Sequence, residues 1–297
     1  MPLDPTTRSG IVTLAGRPNA GKSTLMNRLL GEKLAIVSDK PQTTRQRLVG
    51  ILSGERGQMV FYDTPGVHRP LHRMNRQMVR FATEALREGD VVALLVDCST
   101  RFGSGDSHLL DLLARLDTPR VAVLNKIDLI AKPRLLPRIE RYAEDGLFEH
   151  IVPVSALTGE GCDRLLEVLW EMLPVGAPLY DPDLYTVHPE RFLAAELIRE
   201  KVLSETRDEL PYTTAVLVEK WEEVPERELT RIHACILVER AGQKGILIGR
   251  GGGMIKRLGA AARRDLEDLL GRRVYLELFV RHEPDWRDNR RLLAEIL

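Results

Sequence analysis

The sequence predicts an α/β protein of two domains, a nucleotide-binding domain on a mostly parallel sheet followed by a smaller α+β domain built to meet a polyanion. Three observations carry this. Helix-like and strand-like segments alternate from Ile11 to Met172, and the strand ends carry glycines, carboxylates and amides in place of apolar residues. Leu173 to Leu184 then holds three prolines and a glycine, which break the chain into a stiff joint. Finally, Arg240 to Arg264 contains seven basic residues and no acidic one in a chain of zero net charge, so any polyanion must be met locally.

Composition bounds the answer. At 297 residues, 43 % apolar and 29 % charged, the chain has enough material for about two cored domains, and disordered or collagen-like classes are excluded. Cys98, Cys162 and Cys235 are odd in number and far apart, which fits reduced core residues and neither disulfides nor a metal set. Met1 to Gly10 lacks an apolar signal core and no apolar run reaches ~18 residues, so a cytoplasmic protein is expected.

Taken in order, Ile11 to Ala15 reads as a strand and Leu25 to Leu30 as a helix. Between them lies Gly16-Arg17-Pro18-Asn19-Ala20-Gly21-Lys22-Ser23-Thr24, which fits GxxxxGK(S/T) in the strand-to-helix context that this phosphate loop requires. Gly16 and Gly21 let the backbone wrap a polyphosphate, and the helix N-terminus turns unpaired N–H groups toward its charge. Lys22 neutralises the outer phosphates, and Ser23 offers a hydroxyl to Mg²⁺. Ala35 to Gly50, polar and basic, reads as a mobile loop, with Arg45 and Arg47 solvated. The strand Met59 to Tyr62 ends in Asp63-Thr64-Pro65-Gly66, where Asp63 can hold the magnesium through water and the Gly66 N–H can reach a terminal phosphate.

Met74 to Arg87 has helical spacing and Val91 to Val96 is a strand. Val121 to Leu124 leads into Asn125-Lys126-Ile127-Asp128, and Ile151 to Val154 into Ser155-Ala156-Leu157. A carboxylate at Asp128 accepts from the N1–H and exocyclic amine of guanine, donors that adenine lacks at those positions. Backbone N–H groups of Ser155, Ala156 and Leu157 are placed to meet the guanine O6. Together these motifs read as a guanine-nucleotide-binding domain.

The motif series resembles the translation-factor-related branch of P-loop GTPases. Pro41-Gln42-Thr43-Thr44-Arg45 with Asp63-Thr64-Pro65-Gly66 resembles, within it, the Era family of bacterial ribosome-assembly GTPases. That resemblance extends over nearly the whole chain. It implies GTP hydrolysis to GDP, with Thr44 as the switch threonine in the magnesium shell and Thr43 as the second candidate. Asn19, Lys22, Thr44 and Gly66 become the catalytic set. Val67 stands where many small GTPases carry a water-positioning glutamine, so a slow intrinsic rate is implied. Asn19 is implied as a ligand of K⁺, the alternative being that it only supports the loop turn. Val67 also favours a rival: an RNA-binding module that senses nucleotide with negligible turnover.

Beyond the joint, Pro189 to Thr206 is helix-like, Thr214 to Trp221, Arg231 to Val238 and Val274 to Val280 read as strands, and a helix runs to about Leu270. The order resembles a prokaryotic-type (type II) KH domain, with Gly249-Arg250-Gly251-Gly252 as its GXXG loop. In such domains the loop and its helices clamp about four nucleotides of single-stranded RNA. Ile248 and Ile255 supply aliphatic packing for bases, and Arg250 and Lys256 supply charge. Trp286 fits a packing anchor better than a stacking platform, in a closing helix. Domain bounds are expected at 1–175, 176–188 for the joint and 189–297. The resemblance implies 16S rRNA near its 3′ end and the 30S subunit as partners, leaves room for peripheral membrane contact, and gives a monomer as the expectation.

Overall fold

The computed structural model describes residues 7–40, 43–66, 72–206 and 209–297. Val67, Pro41 and Gln42 therefore lie outside the described residues. The chain divides into two compact units, Met1–Leu71 with Asn75–Val187, and His72–Met74 with His188–Leu297.

In the first unit the strands are β1 (Arg8–Gly16), β2 (Leu48–Gly54), β3 (Gly57–Asp63), β4 (Val91–Asp97), β5 (Arg120–Asn125) and β6 (His150–Pro153). They form one sheet in the order β2-β3-β1-β4-β5-β6, parallel except for β2 against β3. The helices are α1 (Lys22–Leu30), α2 (Arg73–Glu88), α3 (Ser104–Leu113), α4 (Leu136–Ala143) and α5 (Cys162–Met172). Helices on both faces explain why β3, β4 and β5 are near-continuous apolar runs. Because β3 and β4 lie on opposite sides of β1, the loop after β1 opens where the winding reverses, the place where open α/β sheets bind ligands.

The stretch read as a mobile loop, 35–50, is corrected in part. Leu34, Ala35, Ile36, Leu48 and Val49 are buried, and β2 begins at Leu48 because it pairs with β3 over seven residues. A polar, basic composition hid these anchors. Arg45 and Arg47 are not solvated either. Arg45 is buried, while Arg47 pairs with Glu88 and lies 4.4 Å over the Tyr62 ring.

The proline-rich joint is docked along the first unit. Leu179 N and Tyr180 N both donate to Gln58 Oε1 at 2.8 Å, Gln58 Nε2 donates to Tyr180 O, and Ile51 N donates to Tyr185 O. Thr186 Oγ1 donates to Val49 O at 2.6 Å. Gln58, a lone amide within the apolar β3, is wholly buried by this clamp, which satisfies its acceptor and its donors.

The second unit comprises α6 (Glu190–Glu205), β7 (Thr214–Val224), β8 (Leu229–Val238), α7 (Ala241–Ile248), α8 (Gly253–Leu270), β9 (Arg273–His282) and α9 (Arg290–Ile296). β7 is antiparallel and β9 parallel to the central β8. One face of this mixed sheet packs against α6, α7 and α8 through Leu197, Ile198, Leu247, Leu258 and Leu266. Trp286 is fully buried, its Nε1 donating to Thr213 O at 2.9 Å, so it is the packing anchor. It sits in a single 3-10 turn before α9, whose cap Asn289 accepts from Arg291 N and Leu292 N.

Candidate functional site

The phosphate loop joins β1 to α1. Asn19 and Gly21 both take left-handed backbone angles, φ 63° and 95°, and a Cβ at Gly21 would collide with the Asn125 amide. No side chain caps α1 and no acid lies in its first turn, which leaves its dipole and N–H groups for an anion. A cavity of ≈ 340 Å³ opens there, lined by Pro18 to Thr24 (Ala20 excepted), by Ile36 to Asp39, and by Thr43, Thr44, Gly66 and Lys126. Gly66 sits so close to the loop that a Cβ would come within 2.7 Å of Pro18 N.

Lys22 is buried and its Nζ donates to Gly16 O and Arg17 O at 3.3 and 3.2 Å. Beside it Asp63, fully buried, accepts on Oδ2 from Ser23 Oγ at 2.6 Å and Thr44 Oγ1 at 3.0 Å. Its Oδ1 has no hydrogen-bond partner among the described residues. Burial pushes the Lys22 ammonium down against the pull of Asp63. Burial likewise pushes the Asp63 carboxyl up, opposed by Lys22 and the two hydroxyls. An orphaned buried carboxylate oxygen amid two hydroxyls is a hard-oxygen donor set that fits Mg²⁺, and the residue that completes the trio is Thr44. Thr43 instead donates to Lys40 O at 2.7 Å. Thr64 Oγ1 donates to Leu14 O at 2.8 Å and so fixes the segment after β3 to β1. Asn19 Nδ2 donates to Asp39 O at 2.7 Å, tying the phosphate loop to the 35–50 stretch.

The loops after β5 and β6 are braced from within. Asn125 is buried, donates from Nδ2 to Ala20 O at 2.8 Å, and accepts on Oδ1 from Ala156 N at 3.0 Å. It thereby staples the phosphate loop to the Ser155-Ala156-Leu157 turn. Ser155 N donates to Glu160 O, so of the three N–H groups expected to face guanine O6 only that of Leu157 has no partner among the described residues. Asp128 stands exposed in a short 3-10 turn, Ile127–Leu129, with no partner among the described residues. Lys126 takes φ 64° and its Nζ pairs with Asp97 Oδ2 at 2.7 Å.

Three supports were not foreseen from the sequence. Asp97 braces Lys126, Asp106 pairs with Arg17 at 2.9 Å, and Arg28 donates to Ala156 O and Leu157 O at 3.3 and 2.5 Å. Asp97 had a signal, a carboxylate closing an apolar strand. Asp106 and Arg28 had none.

In the second unit Gly249 (φ 70°) turns the chain from α7 into Arg250–Gly252, and a Cβ there would come within 2.7 Å of the Met254 side chain. Gly252 caps α8 without a side-chain bond, and α8 has no acid in its first turn. Of the seven basic residues, Arg240 pairs with Glu209 and Arg257 with Glu205, whereas Lys244, Arg250, Lys256, Arg263 and Arg264 are exposed and pair with no carboxylate among the described residues. Ile248 and Ile255 are half-buried against the core.

Residues 11–126 match the family described as "50S ribosome-binding GTPase", and residues 209–287 match the KH domain family. GTPase Era of Geotalea uraniireducens is 50 % identical over 288 residues, 97 % of each chain. That of Geobacter metallireducens is 49 % identical over 289 residues, again 97 % of each. Among solved structures, an Aquifex aeolicus Era variant bound to GDP and AlF₄⁻ superposes with TM-score 0.95 at 36 % identity, covering 98 % of this chain and 99 % of that one. Era in complex with MgGDPNP and nucleotides 1506–1542 of 16S ribosomal RNA gives TM-score 0.95 at 37 % identity over 98 % of both chains. With half of its residues shared along nearly the full length of such relatives, this chain belongs to the Era family of GTPases.

Proposed function

We propose that this GTPase binds 16S rRNA near its 3′ end through its KH domain and assists assembly of the small (30S) subunit, with the bound nucleotide setting RNA affinity. The observation that carries the nucleotide half is the Ser23–Asp63–Thr44 cluster with its orphaned Oδ1 at the mouth of the phosphate loop. The full-length likeness to the Era–RNA complex supports the other half. It is more specific than the family description for residues 11–126, which names the large subunit.

In this reading residues 1–175 are the GTPase domain, 176–188 the joint and 189–297 the RNA-binding domain. Ser23, Thr44 and Asp63 would hold Mg²⁺, which would supply positive charge against the phosphates. Gly16 to Thr24 cradle the phosphates, and Lys22 trades its two loop carbonyls for phosphate oxygens, gaining the charge partner that its burial calls for. Thr44 and the Gly66 N–H respond to the terminal phosphate, and their release on hydrolysis is the switching event. Asp128 reads the guanine edge, with Asn125 and Lys126 framing the base and the Leu157 N–H meeting O6. Asn19, bonded to Asp39 of the 35–50 stretch, is the K⁺ ligand. The chain works as a cytoplasmic monomer.

The test is affinity for a 16S 3′-terminal fragment with GDP and with a nonhydrolysable GTP analogue. A difference of about tenfold or more supports the coupling, while equal affinities remove it, because a ligand without differential affinity shifts nothing. Turnover compared in K⁺ and Na⁺ at matched ionic strength tests Asn19, and equal rates dismiss it.

A further inference from the structure

The turn Ser155-Ala156-Leu157 is anchored at its root and bare at its tip. Ser155 is fully buried; its N–H donates to Glu160 O at 2.8 Å, and its carbonyl and hydroxyl accept from Gly159 N and Thr158 N. Leu157, by contrast, is 69 % exposed, so packing of its side chain does little to fix the peptide that joins it to Ala156. What holds that peptide is Arg28, in the last turn of α1. Its Nε donates to Ala156 O at 3.3 Å and its Nη2 to Leu157 O at 2.5 Å, and the two carbonyls have no other hydrogen-bond partner among the described residues. The side chain lies along the loop as far as Gly159, where an added Cβ would sit 3.9 Å from it. Arg28 pairs with no carboxylate among the described residues, which leaves its donors to these two peptides.

The Ala156 carbonyl and the Leu157 N–H belong to one trans peptide and point in opposite directions. A grip on the carbonyl therefore sets the direction of the N–H. A planar guanidinium that bonds two successive carbonyls fixes the tilt of the peptide as well as its place, which a lysine ammonium, a point charge on a flexible stem, does not. The helix that carries Arg28 is also the one that meets the phosphates. Leu25, Met26 and Leu29 bury its inner face and hold it rigid. Lys22 and Ser23 open its first turn, and Arg28 lies ~9 Å beyond Lys22 along the axis at 1.5 Å per residue. One helix thus touches the phosphate cradle at its start and the turn after β6 at its end.

We propose that Arg28 is a positioning residue for guanine: by holding the Ala156 and Leu157 carbonyls it aims the Leu157 N–H at O6 and adds selectivity at that atom, separate from the contacts of Asp128 with N1–H and the exocyclic amine. This rests on the base-reading arrangement proposed above. Arg28 acts only through the peptide it holds, so its contribution is confined to the O6 side of the base.

The test is competition binding to the full-length chain with GDP, 6-thio-GDP and inosine diphosphate. Sulfur in place of O6 is a weak acceptor and leaves the N1–H and the amine as they are, whereas inosine keeps O6 and lacks the amine. Arg28→Ala should weaken GDP and inosine diphosphate alike, by about fivefold or more, and 6-thio-GDP by less than about twofold, so that the preference for GDP over 6-thio-GDP shrinks. Arg28→Lys, which keeps the charge without the fork, should fall between wild type and Arg28→Ala. An arginine that merely supported the fold would weaken all three ligands equally, and that result, or no weakening of GDP, overturns the proposal. Wild type that binds 6-thio-GDP as tightly as GDP overturns the O6 contact itself and this inference with it, whereas a wild-type preference that Arg28→Ala leaves intact dismisses Arg28 alone. Should Arg28→Ala fail to fold, Arg28→Lys carries the same comparison.

Discussion

The two glycine loops of this protein solve related problems at opposite depths. Both follow an apolar element, turn on left-handed glycines and end in a helix whose N-terminus carries no side-chain cap. At the phosphate loop the central charges are buried, Lys22 at 6 % exposure and, beside it at the end of β3, Asp63 at 0 %, whereas Arg250 and Lys256 around the GXXG turn stand in solvent. A buried charge is costly until its ligand arrives, which makes the first loop selective for one compact polyphosphate. Exposed charges cost little and accept any backbone that threads past, but salt screens them.

If the two loops differ in this way, changes in one leave the other's ligand untouched. The largest effect is expected from Asp128→Ala, which removes the acceptor for both guanine donors; the preference for GDP over ADP, measured by competition, should collapse by up to about 10⁴-fold, with nucleotide-free RNA affinity unchanged. Next comes Lys22→Ala, which should weaken GTP about 10²- to 10³-fold by calorimetry, as expected for deleting a buried charge from a charged contact. Arg250→Ala/Lys256→Ala should weaken RNA about tenfold, reduce the salt slope of binding by about 0.7 per lost contact, and leave RNA-free GTP turnover intact. A GTP rate that fell in parallel would contradict the separation of the two loops.

The smallest effect is a pH dependence. Burial alone would raise the Asp97 carboxyl, but hydrogen bonds from Lys126 and Ser99 more than reverse this and hold it below its ordinary 3.8. A carboxyl lowered in the folded state contributes stability that is whole above its unfolded value and is lost as pH falls through the folded one. Acid titration of the GDP complex, followed by fluorescence, should therefore show a loss below pH 3.8 that Asp97→Asn removes.

The candidate nucleotide site was legible because its parts are contiguous in sequence and punctuate strand ends: Gly16 to Thr24, Asp63 to Gly66, Asn125 to Asp128. Each motif needs only local backbone geometry to present its atoms. The second unit was legible for a similar reason, since β7, β8 and β9 alternate or run apolar and the helices keep their spacing. What escaped notice was cross-linked through space. The first strand of the β2–β3 pair was hidden by a polar approach, and Ala35, Ile36 and Arg45, read as loop, are buried. Two helices, α3 and α4, were not foreseen at all.

By itself, the order of residues determined the chemistry on offer, a phosphate cradle, a guanine-reading carboxylate and a basic glycine turn, because those functions reside in short stretches whose conformation is set by neighbours along the chain. The folded chain alone joins Asn125 to both Ala20 and Ala156 and brings Gln58 onto the joint at Tyr180. Those pairings span 31 to 122 positions of chain, and whether two such distant side chains meet depends on the packing of every element between them.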